Sequence, residues 1–78
     1  MSDRFIEEAE LASLAKQCRE NAGKTRAQAA RELNVARPTI FYAEEKPERG
    51  LHKLRKAIIE AYSGYEITGP VYRVHRKP

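Results

Sequence analysis

The sequence predicts a mainly α fold, four or five short helices over residues 1 to 64, followed by a C-terminal β arm over residues 65 to 78. Three observations carry this expectation. Apolar residues recur at helical spacing along the first part of the chain, and Gly23, Asn34, Pro47 and Gly64 punctuate it at the intervals expected of helix ends. The stretch from Tyr65 to Arg76 is instead rich in β-branched and aromatic residues. A chain of 78 residues has material for one core. The surface-scaling rule gives it roughly 4,800 Å² of folded surface and a little over 60% burial, a marginal core that a second copy would help.

The first helix is read from Leu11, Leu14, Ala15, Cys18 and Ala22, which share one helical face, and Gly23 ends it. Phe5, Ile6 and Ala9 do not extend that stripe, and the sequence does not choose between the core and a partner for them. Thr25 is placed to cap a second helix running to about Leu33, with Ala29, Ala30 and Leu33 inward. Asn34 tolerates a left-handed backbone, so a tight reversal fits there, and Val35 then points back inward. A third helix starts at Arg37 or Pro38 and runs to about Glu45. A residue before proline disfavours the α region, which makes Arg37 either the N-cap or the first helical residue. Leu51, Leu54, Ile58 and Ala61, flanked by Ala57, form the stripe of a fourth helix ending near Ser63-Gly64. In the arm, Gly69-Pro70 is a poor two-residue hairpin loop, so a bend or an extended arm is expected.

Composition excludes several classes of function. With 41% hydrophobic and 33% charged residues the chain is neither disordered nor membrane-spanning, and its mixed-charge start is no secretory signal. A cytoplasmic, nucleoid-associated location follows as the expectation. One cysteine, Cys18, rules out an intrachain disulfide framework, and with His52 and His75 alone beside it no zinc spacing can be written. Cys18 is expected in the core, and Glu7, Glu8 and Glu10 on a solvated helical face. No phosphate loop, nucleophile elbow or metal spacing is found, so neither an enzyme nor a bound cofactor or metal is expected.

The net charge of +4 is unevenly placed. Residues 1 to 22 carry three basic and five acidic side chains, residues 23 to 56 nine and four, and residues 57 to 78 three and two. A basic block inside a folded domain points to a polyanion, nucleic acid first and anionic membrane second, against the plain alternative of a solvated basic surface.

The block coincides with a capped helix, a three-residue turn and a second helix, the parts of a helix-turn-helix. The stretch TRAQAARELNVARPTIFYAEE, Thr25 to Glu45, resembles the helix-turn-helix of the phage repressor and Cro-type (XRE) family. The family's inner small or apolar positions match Ala29, Ala30, Leu33, Val35 and Ile40, and its late acidic residue matches Glu44. Asn34 stands for the usual glycine, Ala43 for a larger aliphatic, Arg26 for a common glutamine, Lys24 for a leucine and Ala36 for the usual capping hydroxyl. The resemblance covers about residues 14 to 62 and implies a lambda-repressor-like fold with the third helix in the major groove of double-stranded DNA.

With Ile40 and Ala43 inward, helical geometry turns Arg37, Pro38, Phe41, Tyr42 and Glu45 outward. Arg37 is suited to a guanine, Tyr42 to a base edge or phosphate, and Pro38 or Phe41 to a thymine methyl. The plain alternatives are a solvated charge for Arg37, a helix starter in Pro38, and core packing for Phe41 or Tyr42. Phosphate contacts are expected from Arg26, Thr39, Arg49, His52, Lys53 and Lys56. Size and a β-like tail resemble the Cro-type branch, which implies a bacterial or phage repressor acting as a homodimer on a two-fold operator, with no small-molecule effector. Dimerisation is expected through the arm, by Tyr65, Ile67, Val71, Tyr72 and Val74. The competing reading is an antitoxin-like or adaptor module whose arm adds a strand to a protein partner.

Overall fold

Four helices form where the apolar spacing places them, and a small sheet closes the domain from both chain ends. The computed structural model describes residues 4–69 and 72–78, in the order β1 (Arg4–Ile6), α1 (Glu8–Asn21), α2 (Arg26–Leu33), α3 (Arg37–Glu45), α4 (His52–Tyr62), β2 (Tyr65–Thr68) and β3 (Tyr72–Arg76). Helix α1 opens with the Glu7 N–H donating to the Glu10 carboxylate at 3.3 Å and ends where Gly23 takes φ +73°. Helix α2 has the capping box that Thr25 announces. The Gln28 N–H donates to Thr25 Oγ1 at 3.1 Å, and the Thr25 N–H donates to Gln28 Oε1 at 2.8 Å. Asn34 is left-handed at φ 57°, ψ 49°, which turns the chain within three residues into α3. Ala36 is the N-cap of α3 and Arg37 its first helical residue, so proline at the second position shapes the start without displacing Arg37 from the helix.

The core joins all of these elements. Leu11, Ala15, Ala29, Ala30, Ile40, Ala43, Ile58 and Ile59 are buried together with Ile6, Ile67 and Val74 of the sheet. Burying each large aliphatic among them contributes about 1.5 to 3 kcal/mol. Two stripe positions depart from expectation: Ala22 and Ala61 are exposed, while Ile59 and the arginines Arg19 and Arg55 are buried. The stripe of α4 thus rolls by one position, placing Arg55, Ile58 and Ile59 inward.

The sheet differs most from the sequence reading. Its order is β1-β3-β2, all antiparallel, so the N-terminal strand pairs with the C-terminal one. Ile6, left unassigned by the helical stripe, is a core residue opposite Tyr72. The arm is neither bent nor extended but a hairpin, with Thr68 opposite Arg73. Pro70 and Val71, the latter expected at a dimer contact, lie outside the described residues. The arm packs on its own helices: Ile67 is 2% and Val74 3% exposed, with Tyr65 and Tyr72 half-buried against the same core. Ile67 and Val74 are therefore taken up by the core of their own protomer, a correction to the expectation that they face a second copy, while Tyr65 and Tyr72 keep part of their surface open.

The edge of β2 is closed as well. The Lys77 N–H donates to the Gly64 carbonyl across the hairpin, so the Tyr65 and Ile67 amides alternate to the outer side. There Ser63 Oγ accepts from the Tyr65 N–H at 3.2 Å and Glu60 Oε2 from the Ile67 N–H at 3.0 Å. Side chains at and beyond the end of α4 thus occupy the donors that an added strand needs.

Candidate nucleic-acid interface

The inner face of α3 is fastened by three arginines drawn from three helices. Glu44 is buried and accepts from Arg19 of α1 through Nε at 2.6 Å and Nη2 at 3.0 Å, and from Arg26 Nε of α2 at 3.0 Å. Arg19 Nη1 also donates to the Lys24 carbonyl at 2.7 Å, closing the loop between α1 and α2. The Glu44 hydrogen bonds push the Arg19 guanidinium above its ordinary pKa, so it stays charged despite burial. At the other end of α3, the fully buried Arg55 donates to the Ala43 carbonyl at 2.7 Å and the Lys46 carbonyl at 2.8 Å. It thereby satisfies carbonyls that a helix end leaves open. Its third partner is the Glu8 carboxylate, which also holds the Tyr72 hydroxyl and raises that phenol's pKa. Glu8 is thus a structural partner of α4 and β3, a correction to its reading as solvated; Glu7 and Glu10 are exposed as expected.

The outer face of α3 is built differently. Arg37 and Pro38 are exposed at its first turn, and no hydrogen bond, ion pair or ring contact holds Arg37 among the described residues. Phe41, one turn later, is 39% exposed, and Tyr42 beside it is half-buried. The two rings meet edge to face with centroids 5.8 Å apart and planes at 72°. A guanidinium lies against each: Arg26 at 5.1 Å from the Phe41 centroid and Arg49 at 4.6 Å from that of Tyr42. The four residues expected to read bases therefore share one surface, with the cation of Arg49 joined to it.

Glu45, expected outward, turns toward α1 and α2, where it meets Lys16 Nζ at 2.7 Å and Arg26 Nη2 at 2.7 Å. The hydrogen bond from Lys16, aided by the charge of Arg26, holds its carboxyl below the ordinary value. Arg26, expected at a phosphate, has Nε and Nη2 committed to Glu44 and Glu45. Its place is between the acids and the Phe41 ring, as a brace. Arg49, also expected at a phosphate, caps Tyr42 in the same way. Thr39 is half-buried, with its N–H on the Ala36 carbonyl at 3.0 Å.

Lys53 and Lys56 come together with His52 as a second basic surface. With Gly69 and Tyr72 they line an open cleft of about 340 Å³ between the start of α4 and the hairpin connection. The His52 and Tyr72 rings are 6.4 Å apart there. Three arginines in or beside this region escaped the sequence reading. Arg31 is exposed and lines, with Arg37, Asn34 and Ala36, a concavity of about 910 Å³ at the turn between α2 and α3. Arg19 and Arg55 carried a visible signal, since each is a charge set within a helix's apolar stripe. No helix among the described residues is long and apolar enough to cross a membrane. No protein-family model, curated protein or solved structure matches the chain in comparisons with known proteins.

Proposed function

We propose that this chain is a sequence-specific, double-stranded DNA-binding regulator that inserts α3 into the major groove and represses by occupying its site inside the cell. One observation carries the reading: α3 has its acids and carbonyls tied down on the inside and presents on the outside Arg37, a cation without a side-chain partner among the described residues, with Pro38, Phe41 and Tyr42. A helix so fastened is a rigid probe, and an unpaired guanidinium at its N-terminal turn suits bidentate donation to guanine O6 and N7. Arg31 beside the turn and the His52, Lys53 and Lys56 cleft supply charge for the phosphates on either side.

The resemblance to the Cro-type family leads to two copies on a two-fold operator, and we retain that form of the proposal. Contact between the copies then uses surface other than Ile67 and Val74, which the core consumes. The adaptor reading loses its main support, because it needs an unpaired arm and this arm is already paired on β1 and closed by Glu60 and Ser63. The test is selection of bound duplexes from a random pool at about 150 mM salt, where purely electrostatic binding is weak. An enriched motif with half-sites about 10 base pairs apart is expected. A single unrepeated motif would replace the dimer by a monomer, and absence of enrichment would overturn sequence reading.

A further inference from the structure

We infer that Phe41 is a methyl reader, packing on the 5-methyl group of one thymine in the bound duplex, and that Arg26 is the positioning residue that holds its ring. This rests on the DNA reading of α3 proposed above and names what part of that surface recognises. Among the described residues Phe41 is the one large hydrophobic side chain left exposed, at 39%. It belongs to the outer face of α3, one turn after Arg37.

The ring is braced on two sides. The edge-to-face contact with Tyr42 supports one, and the Arg26 guanidinium 5.1 Å from the centroid supports another. That guanidinium cannot swing away without abandoning Glu44 at 3.0 Å and Glu45 at 2.7 Å. Tyr42 is itself capped by Arg49. A ring immobilised before binding loses little rotamer freedom when it docks. Its surroundings select the partner. Arg26 lies against it, Arg37 precedes it by one turn and Arg49 lies over the neighbouring Tyr42, while the nearby carboxylates Glu44 and Glu45 are neutralised by Arg19, Arg26 and Lys16. An apolar spot in a cationic frame suits a polyanion that carries an apolar group, and in the major groove that group is the thymine methyl. Arg37 one turn earlier places a guanine contact close to the same thymine.

Deoxyuridine, which lacks only that methyl, provides the probe. The selected duplex is rebuilt with uracil in place of each thymine in turn, and affinity is measured by fluorescence anisotropy for the unaltered protein, Phe41→Ala and Arg26→Ala. Uracil at one position per half-site is expected to weaken the unaltered protein about fourfold, the worth of one buried methyl. Phe41→Ala should bind thymine and uracil duplexes alike. Arg26→Ala should lower the thymine preference and leave the salt dependence unchanged, whereas loss of a phosphate contact flattens that slope by about one unit. A motif-reading protein indifferent to uracil at every position overturns the methyl contact while leaving the proposed function standing. Phe41→Ala with an undiminished thymine preference does the same and points to a protein contact for the ring. A flattened slope in Arg26→Ala overturns the positioning role, and a protein that enriches no duplex removes both the inference and the function beneath it.

Discussion

The two faces of α3 use the same residue types for opposite ends. Inside, Arg19, Arg26 and Arg55 meet Glu44, Glu45, Glu8 and three backbone carbonyls, so charge is converted into geometry. Outside, Arg37 meets no protein group among the described residues and stands beside apolar rings, so its charge stays available to a partner. The difference teaches that a basic block is not itself a binding surface. Of the nine cations in residues 23 to 56, Arg26 and Arg55 serve the fold, and Lys24 is paired with Glu32 at 2.8 Å. What distinguishes a reading residue from a holding one is the acid or carbonyl already waiting for it.

The comparison breaks most visibly at Arg55. Arg55→Ala leaves the Ala43 carbonyl without its side-chain donor and takes one donor each from the Glu8 carboxylate and the Lys46 carbonyl, and we expect a loss of about 3 to 5 kcal/mol, read as a fall in urea midpoint. A loss under 1 kcal/mol would mean that the end of α3 is held by packing alone. Glu44→Gln keeps the shape but removes the charge between Arg19 and Arg26, and about 2 to 3 kcal/mol is expected to go. Equal stability with the glutamine would make the pairing dispensable. In the protein that remains folded, Arg55→Ala should leave the preferred bases unaltered, and Glu44→Gln should lower at most the thymine preference that depends on Arg26.

On the outer surfaces the expected effects move from stability to affinity. Lys53→Ala should leave the melting temperature in place, weaken binding evenly across sequences and flatten the salt slope by about one unit. A loss confined to particular sequences would transfer Lys53 from the backbone to the bases. The smallest effect belongs to Glu45. Its carboxyl is held below the ordinary value of 4.5, chiefly by Lys16, so its contribution is present above pH 4.5 and disappears as pH falls through the lowered folded-state value. Because the pair is partly solvated, the gap between unaltered protein and Glu45→Gln should be about 0.5 kcal/mol at pH 7 and vanish near pH 2. A gap that persists in acid would locate the effect elsewhere.

Much of this arrangement is legible in the chain. Thr25 with Gln28, the tolerance of Asn34 for positive φ, and Ile40 with Ala43 place the two helices of the central unit and decide which residues of α3 face outward. Side-chain partners across elements are another matter. Arg26 and Glu45 look free along the sequence because Glu44, Lys16 and Arg26 meet only after α1, α2 and α3 pack together. The sheet was hidden for the same reason. Arg4–Ile6 is too short for an alternating pattern, and it is a strand because β3, some seventy residues later, supplies its hydrogen bonds. Arg19 and Arg55 were the readable exceptions, since a long cation inside an apolar stripe must find acceptors wherever it is buried.

Arg37 offers the most direct test of the division between a holding face and a reading face. Duplex selection run in parallel on the unaltered protein and Arg37→Ala should return the same motif with one base pair per half-site relaxed, a loss of about 1 to 3 kcal/mol of discrimination there. The urea midpoints of the two proteins should agree within about 0.5 kcal/mol. An unchanged motif, or a variant that loses stability as Glu44→Gln does, would contradict the account.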